Sequence, residues 1–243
     1  MIPLRDANPT RRTPVVTIGL IALCVAAFLG ELTVQLNGDP DLVRFFDRWA
    51  LVPAQLTAAL DSGSQASGEL VTVLTSMFLH GGWIHLGGNM LYLWIFGNNI
   101  EDRFGHVGFL VFYLLGGVAA AATQVFRDPT SEVPIIGASG AIAAVLGAYL
   151  VLYPRARVLS LVFLGFFAQV IQVPAVLVLG FWFVLQLFSG LMSLGAAGAD
   201  GGVAVFAHIG GFLFGVAVGL VVRSLSPTGG GRRTGPLDEF RVG

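Results

Sequence analysis

Lysine is missing from this 243-residue chain, so its positive charge rests on arginine alone, and with a formal net charge of -1 no basic face is left for nucleic acid. Cysteine occurs once, at Cys24, which excludes an internal disulfide. Charged residues make up only 11% of the chain, and no cluster has the composition or spacing of a metal site. What remains is apolar. At 55% hydrophobic residues and a mean hydropathy of +0.81, the chain is too apolar for a soluble domain of this length and reads as a polytopic membrane protein.

A helix needs about 20 apolar residues to cross about 30 Å of hydrocarbon. Six stretches are read as spans on that ruler: Val15 to Leu36, Gly82 to Ile100, Val107 to Phe126, Ser139 to Tyr153, Val173 to Met192, and Val203 to Val222. Residues 158 to 193 are too long for one span and break at Pro174, so an interfacial or re-entrant piece is expected ahead of the fifth. No small-x-small cleavage site follows a short apolar core near the start, so the first stretch is read as a retained span. The expected fold class is an all-α membrane protein, a bundle of six transmembrane helices.

Arginine sets the expected orientation, because cytoplasmic loops carry the excess of positive charge. With the N-terminus inside, Arg5, Arg11, Arg12, Arg103, Arg155, Arg157, Arg223, Arg232, Arg233 and Arg241 are cytoplasmic, and only Arg44, Arg48 and Arg127 are external. Both termini are therefore expected in the cytoplasm. Residues 1–14 form a cytoplasmic segment, 15–223 the membrane domain, and 224–243 a disordered tail rich in Gly, Arg and Pro. The external loop, 37–79, mixes Phe45, Phe46 and Trp49 with Asp41, Arg44, Asp47 and Arg48, as an amphipathic element on the outer leaflet would.

Polar side chains inside spans are costly, and each is a site hypothesis by default. Ser139 opens the fourth span, His85 and Asn89 lie early in the second, and His208 lies five residues into the sixth. Even-numbered spans enter from the same side, so all four converge at one depth near the external face. Serine needs a base to take its proton, and His208 is the candidate. The spans hold one acidic residue, Glu31, so a dyad is expected rather than a triad. His85 and Asn89, spaced i, i+4, present both side chains to one point, and the Ser139 amide at a helix N-terminus adds a third donor. That set would make an oxyanion hole. Gly140 in the fourth span and Gly211, Gly215 and Gly219 in the sixth would let two backbones approach closely. His80 is read as a contact of the loop above the second span, and Glu101 and Arg103 as holding a cytoplasmic turn.

The motifs HGGWIHLGGNM, GASGAIAAVLGAY and AHIGGFLFG, with Glu101-Asp102-Arg103-Phe104-Gly105 between the first two, resemble in order the signatures of the rhomboid family of intramembrane serine proteases, over roughly residues 69 to 223. The resemblance implies a bacterial-type six-helix core with Ser139 as nucleophile, His208 as general base, and His85, Asn89 and the Ser139 amide binding the oxyanion. Gly137 would shape the serine loop, and a fifth-span lateral gate would include Phe181, Trp182, Phe183 and Phe188. It implies transmembrane protein substrates cut near the outer face, a lipid bilayer as surroundings, and no cofactor or metal. The expected location is the bacterial cytoplasmic (inner) membrane, with the active site opening to the external side. Oligomeric state is not set by the sequence.

Two positions depart from the family pattern. Val71-Thr72 stand where a Trp-Arg pair is common, and Ala143 stands where an aromatic ring often stacks on the histidine. A catalytically silent rhomboid-like protein that binds transmembrane helices is the alternative; such relatives usually lose the serine or the histidine, and this chain keeps both. A channel or transporter would show internal repeats or paired broken helices, and neither is seen.

Overall fold

The structure, a computed structural model, describes residues 1–63, 66–165, 167–195 and 204–225. Of the tail expected at 224–243, Ser224 and Leu225 close the last helix and 226–243 lie outside the described residues, as does Val203. Strand β1 (Ile2–Asp6) leads to helix α1 (Val15–Gln35). The loop expected to be external carries α2 (Asp39–Trp49), α3 (Pro53–Ser62), α4 (Ala66–Thr75) and a 3₁₀ turn at Ser76–Phe78. The second apolar stretch is α5 (Trp83–Tyr92), a π turn (Leu93–Gly97) and α6 (Asn98–Phe104). Then come α7 (His106–Arg127), α8 (Ser139–Leu152), strands β2 (Arg157–Leu164) and β3 (Phe167–Pro174), α9 (Ala175–Gly195) and α10 (Val205–Leu225).

The chain is largely helical, and α1, α7 and α10 are long and apolar enough to cross a membrane. A fourth such span results if the helix ending at Phe78 and the run from Trp83 to Phe104, bent by 81° at their junction, count as one. α8 has 14 residues, which at 1.5 Å each is about 21 Å.

The expectation of an all-α chain is corrected by a three-stranded antiparallel sheet in the order β1-β2-β3. The piece before Pro174 is a hairpin, with Arg157 opposite Pro174 and Leu164 opposite Phe167. Its β-branched Val158, Val162, Val170, Ile171 and Val173 and the left-handed Gly165 (φ +64°) favour two strands over a re-entrant helix. The N-terminal segment supplies the third strand, Ile2 pairing with Leu161 and Asp6 with Val158.

Asp6 locks this sheet to the helices. Its Oδ2 accepts hydrogen bonds from Asn99 Nδ2 (2.7 Å), Tyr149 Oη (2.9 Å) and Asn8 Nδ2 (3.2 Å). Burial raises the Asp6 carboxyl above its ordinary 3.8, and the bonds from Tyr149, Asn8 and Asn99 hold part of that rise back. A carboxyl that titrates higher folded than unfolded stabilises fully below the unfolded pKa, and that contribution is lost as pH rises through the folded one. Asp6→Asn removes this loss. The melting temperature of the variant relative to wild type should climb as pH is raised from acid toward neutral, and parallel curves would count against the assignment.

At the same end Glu101, fully buried, caps α1 from a neighbouring helix. It accepts from the backbone amides of Val16 (2.9 Å) and Thr17 (2.7 Å), from Thr17 Oγ1 (2.7 Å), and contacts His106 Nδ1 (2.6 Å). α1 has no capping side chain of its own at Pro14, so a carboxylate from elsewhere satisfies its first-turn donors.

The core centres on α8, buried from Ala141 to Tyr149. α10 lies directly on it through the expected glycines. A methyl group at Gly211 would overlap the Gly140 carbonyl, one at Gly215 the Ala144 carbonyl, and one at Gly147 the Phe212 carbonyl. These neighbours are backbone and cannot swing aside. Gly215→Val should therefore lower stability by about 3 kcal/mol or more and spread α8 from α10; an unchanged melting temperature would show that the contact is looser than drawn.

Candidate active site

The α8–α10 contact brings two side chains together. Ser139 is the first residue of α8, and His208 sits in the first turns of α10, whose start is held by the Ala207 amide donating to Gln124 Oε1 of α7 (3.2 Å). His208 Nε2 lies 2.6 Å from Ser139 Oγ. A nitrogen at that distance is within reach of the hydroxyl proton. For Nε2 to accept it, the ring hydrogen must sit on Nδ1, which is buried without a hydrogen-bond partner among the described residues. Among the described residues no carboxylate bonds that nitrogen; Glu31, the acidic residue noted in the spans, accepts from the His80 amide.

The missing ring at Ala143 is made good from another helix. Trp182 of α9, itself buried, faces His208 with ring centroids 5.5 Å apart, and its other neighbours are Tyr92 of α5 (5.9 Å) and Phe183 (6.5 Å). Phe183 packs on Phe212 at 5.4 Å, whereas Phe181 is 40% exposed. The side chain of Phe188 lies outside the described residues. In the sequence Trp182 is one aromatic among several on an apolar helix, and nothing there singles it out as the partner of His208.

The serine loop is fixed by backbone bonds. Leu51 and Ile135 exchange N–H···O bonds (3.2 and 2.7 Å), the Ala54 amide donates to Ser131 O (3.0 Å), and the Gly137 amide donates to Ser76 O (2.8 Å). Gly137 has φ +123°, and a Cβ there would lie 2.8 Å from His85 Nε2 and 3.7 Å from Ser139 Oγ. The glycine thus leaves open a small space bordered by both groups, as a loop-shaping role requires.

α5 brings His85 to that region, with Asn89 one helical turn further along the same helix. His85 Nδ1 accepts the Gly81 amide at 3.3 Å, which leaves the ring proton on Nε2, the nitrogen nearest Gly137. Asn89 is buried and its Nδ2 has no partner among the described residues. The Ser139 amide, at the first position of α8, has no intrahelical acceptor. His80, 1% exposed, contacts Phe78 O through Nδ1 (3.1 Å) and sets its ring edge-on to His85 at 5.1 Å. Gly140, Gly211 and Gly215 contribute by letting α8 and α10 meet. A groove of about 390 Å³ between α7 and α10, lined by Arg103, Phe112 and Phe214 among others, lies toward the opposite end and shares no residue with this cluster.

Comparison with known proteins now bears on the site. The family model of the Rhomboid domain matches residues 67–225. Rhomboid protease GluP of Bacillus subtilis is 36% identical over 155 residues, covering 64% of this chain and 27% of that protein. Rhomboid protein 1, mitochondrial, of Saccharomyces cerevisiae is 30% identical over 153 residues, covering 61% and 41%. RHOMBOID-like protein 6, mitochondrial, of Arabidopsis thaliana is 30% identical over 220 residues, covering 88% and 62%. The chain thus spans less than two thirds of the length of these curated relatives. With the motifs in order, the helices packed as described and more than half of its residues inside the family domain, the chain belongs to the rhomboid family.

Proposed function

We propose that this protein is an intramembrane serine endopeptidase that cuts transmembrane segments of other membrane proteins near the outer face of the bilayer. The observation that carries the reading is the 2.6 Å approach of His208 Nε2 to Ser139 Oγ. His208 takes the hydroxyl proton as Oγ attacks the substrate carbonyl carbon. Negative charge then develops on the carbonyl oxygen, where His85 Nε2–H, Asn89 Nδ2 and the Ser139 amide are the available donors. Collapse of the adduct passes the proton from His208 to the leaving amine and leaves an acyl-serine. Water, deprotonated by the same histidine, releases the acid.

The reading includes six membrane-crossing helices, with α8 and α9 joining the longer ones, both termini in the cytoplasm and the site opening outward. The arginine bias supports this orientation. We place the protein in a bacterial cytoplasmic membrane, with residues 15–223 as the membrane domain. The test is cleavage of a tagged single-pass protein in liposomes, with labelling of Ser139 by a fluorophosphonate. Folded protein that neither cleaves nor labels would favour a silent, helix-binding rhomboid-like protein instead.

A further inference from the structure

Glu31 is a buried carboxylate at the outer end of α1, the end that carries the site, and the chemistry above does not use it. Burying such a group in apolar surroundings is expensive unless it meets donors. It meets one backbone amide with both oxygens: the His80 N–H donates to Oε1 at 3.1 Å and Oε2 at 3.3 Å. The next amide along, that of Gly81, is the donor that holds His85 Nδ1. Three residues before Glu31, Phe28 sets its ring edge-on to Trp83 at 4.9 Å, one residue beyond the left-handed Gly82 (φ +157°). α1 therefore grips the turn between Phe78 and Trp83 at two points, and that turn carries the donor that orients His85.

We propose that Glu31 is a positioning residue for the oxyanion hole: by anchoring the His80 amide it holds the Gly81 N–H on His85 Nδ1 and keeps Nε2–H turned toward the space beside Ser139. The inference rests on the serine-protease reading. Glu31 touches no substrate. Its effect passes through His85, so it falls on the step in which charge develops rather than on substrate binding.

Glu31→Gln keeps one acceptor oxygen for the His80 amide, and Glu31→Leu keeps none. In proteoliposomes the glutamine variant should retain kcat within about threefold of wild type. The leucine variant should lose about 10- to 100-fold in kcat with little change in KM, as for misplacement of one oxyanion donor. Its rate of inactivation by a fluorophosphonate, whose phosphoryl oxygen occupies the oxyanion position, should fall in parallel. Because the route is His85, the double variant Glu31→Leu/His85→Ala should be no slower than His85→Ala alone. Losses that multiply in the double variant, or a leucine variant with wild-type kcat, overturn the proposal. If the leucine variant does not fold, the glutamine variant decides: a well-folded Glu31→Gln protein with a tenfold or greater loss of kcat overturns it. Failure of the underlying reading is recognisable separately, since wild-type protein would then show no turnover that depends on Ser139.

Discussion

Ser139→Ala and His208→Ala should each reduce cleavage of a single-pass substrate in liposomes by about 10⁴- to 10⁶-fold, and the double variant should be no slower than either single one. The size of the effect follows from what each side chain does alone. Without His208 the serine hydroxyl has no acceptor for its proton, and without Oγ the histidine has nothing to activate. Non-additivity is the informative part, since two groups that act in one proton transfer can be lost only once. Stability should separate from activity in the serine variant. Ser139 Oγ is bonded to His208, and α8 is held by its buried run from Ala141 to Tyr149, so its removal should move the melting temperature by only a few degrees. Turnover of Ser139→Ala within tenfold of wild type would remove Ser139 from the role of nucleophile.

Glu101→Ala should be among the most destabilising single substitutions in the described chain. It strips the acceptor from the Val16 amide, the Thr17 amide and the Thr17 hydroxyl, and leaves His106 without its carboxylate. Buried donors left unpaired lose about 1 to 3 kcal/mol each, so a loss of about 3 to 9 kcal/mol is expected for the three. For a chain of this size that corresponds to a fall of about 6 °C or more in detergent-solubilised protein. Glu101→Gln, with one acceptor oxygen left, should fall between. An alanine variant melting within about 2 °C of wild type would mean that water replaces the carboxylate at the start of α1.

Much of this was readable in the chain. The first apolar stretch ends within a residue of α1, and the third and fourth likewise match α7 and α8 within a residue. Long apolar runs closed by arginine, glycine or proline leave few other places for helix ends. Ser139, His208, His85 and Asn89 stood out because a polar group in hydrocarbon has to be explained. The hairpin was not legible as such. Residues 158–173 are as apolar as a span, and hydropathy cannot tell two β-branched strands from a helical piece. Strand β1 left no local sign, since its partner lies more than 150 residues downstream. Glu31 was visible as an oddity, but its partner is a backbone amide, which no side-chain pattern displays. Trp182 was hidden for the opposite reason: an aromatic ring on an apolar helix looks the same whether it faces lipid or His208.

The pairing of β1 also has a consequence in time. The bond from Tyr149 to Asp6 spans 143 residues, and Ile2 cannot meet Leu161 until still later in synthesis. At roughly 5 to 20 residues per second, the first strand waits roughly 7 to 29 s for that tyrosine. During the wait α1 can already be gripped by Glu101 and packed against its neighbours, because every residue involved has been made. The sheet can therefore close only after α1 and α5 to α8 have been made, yet before α10, the helix that completes the core on α8, leaves synthesis. Closing so long a loop slows folding far more than it weakens the finished protein, so loss of β1 pairing should show first in the yield of folded chains.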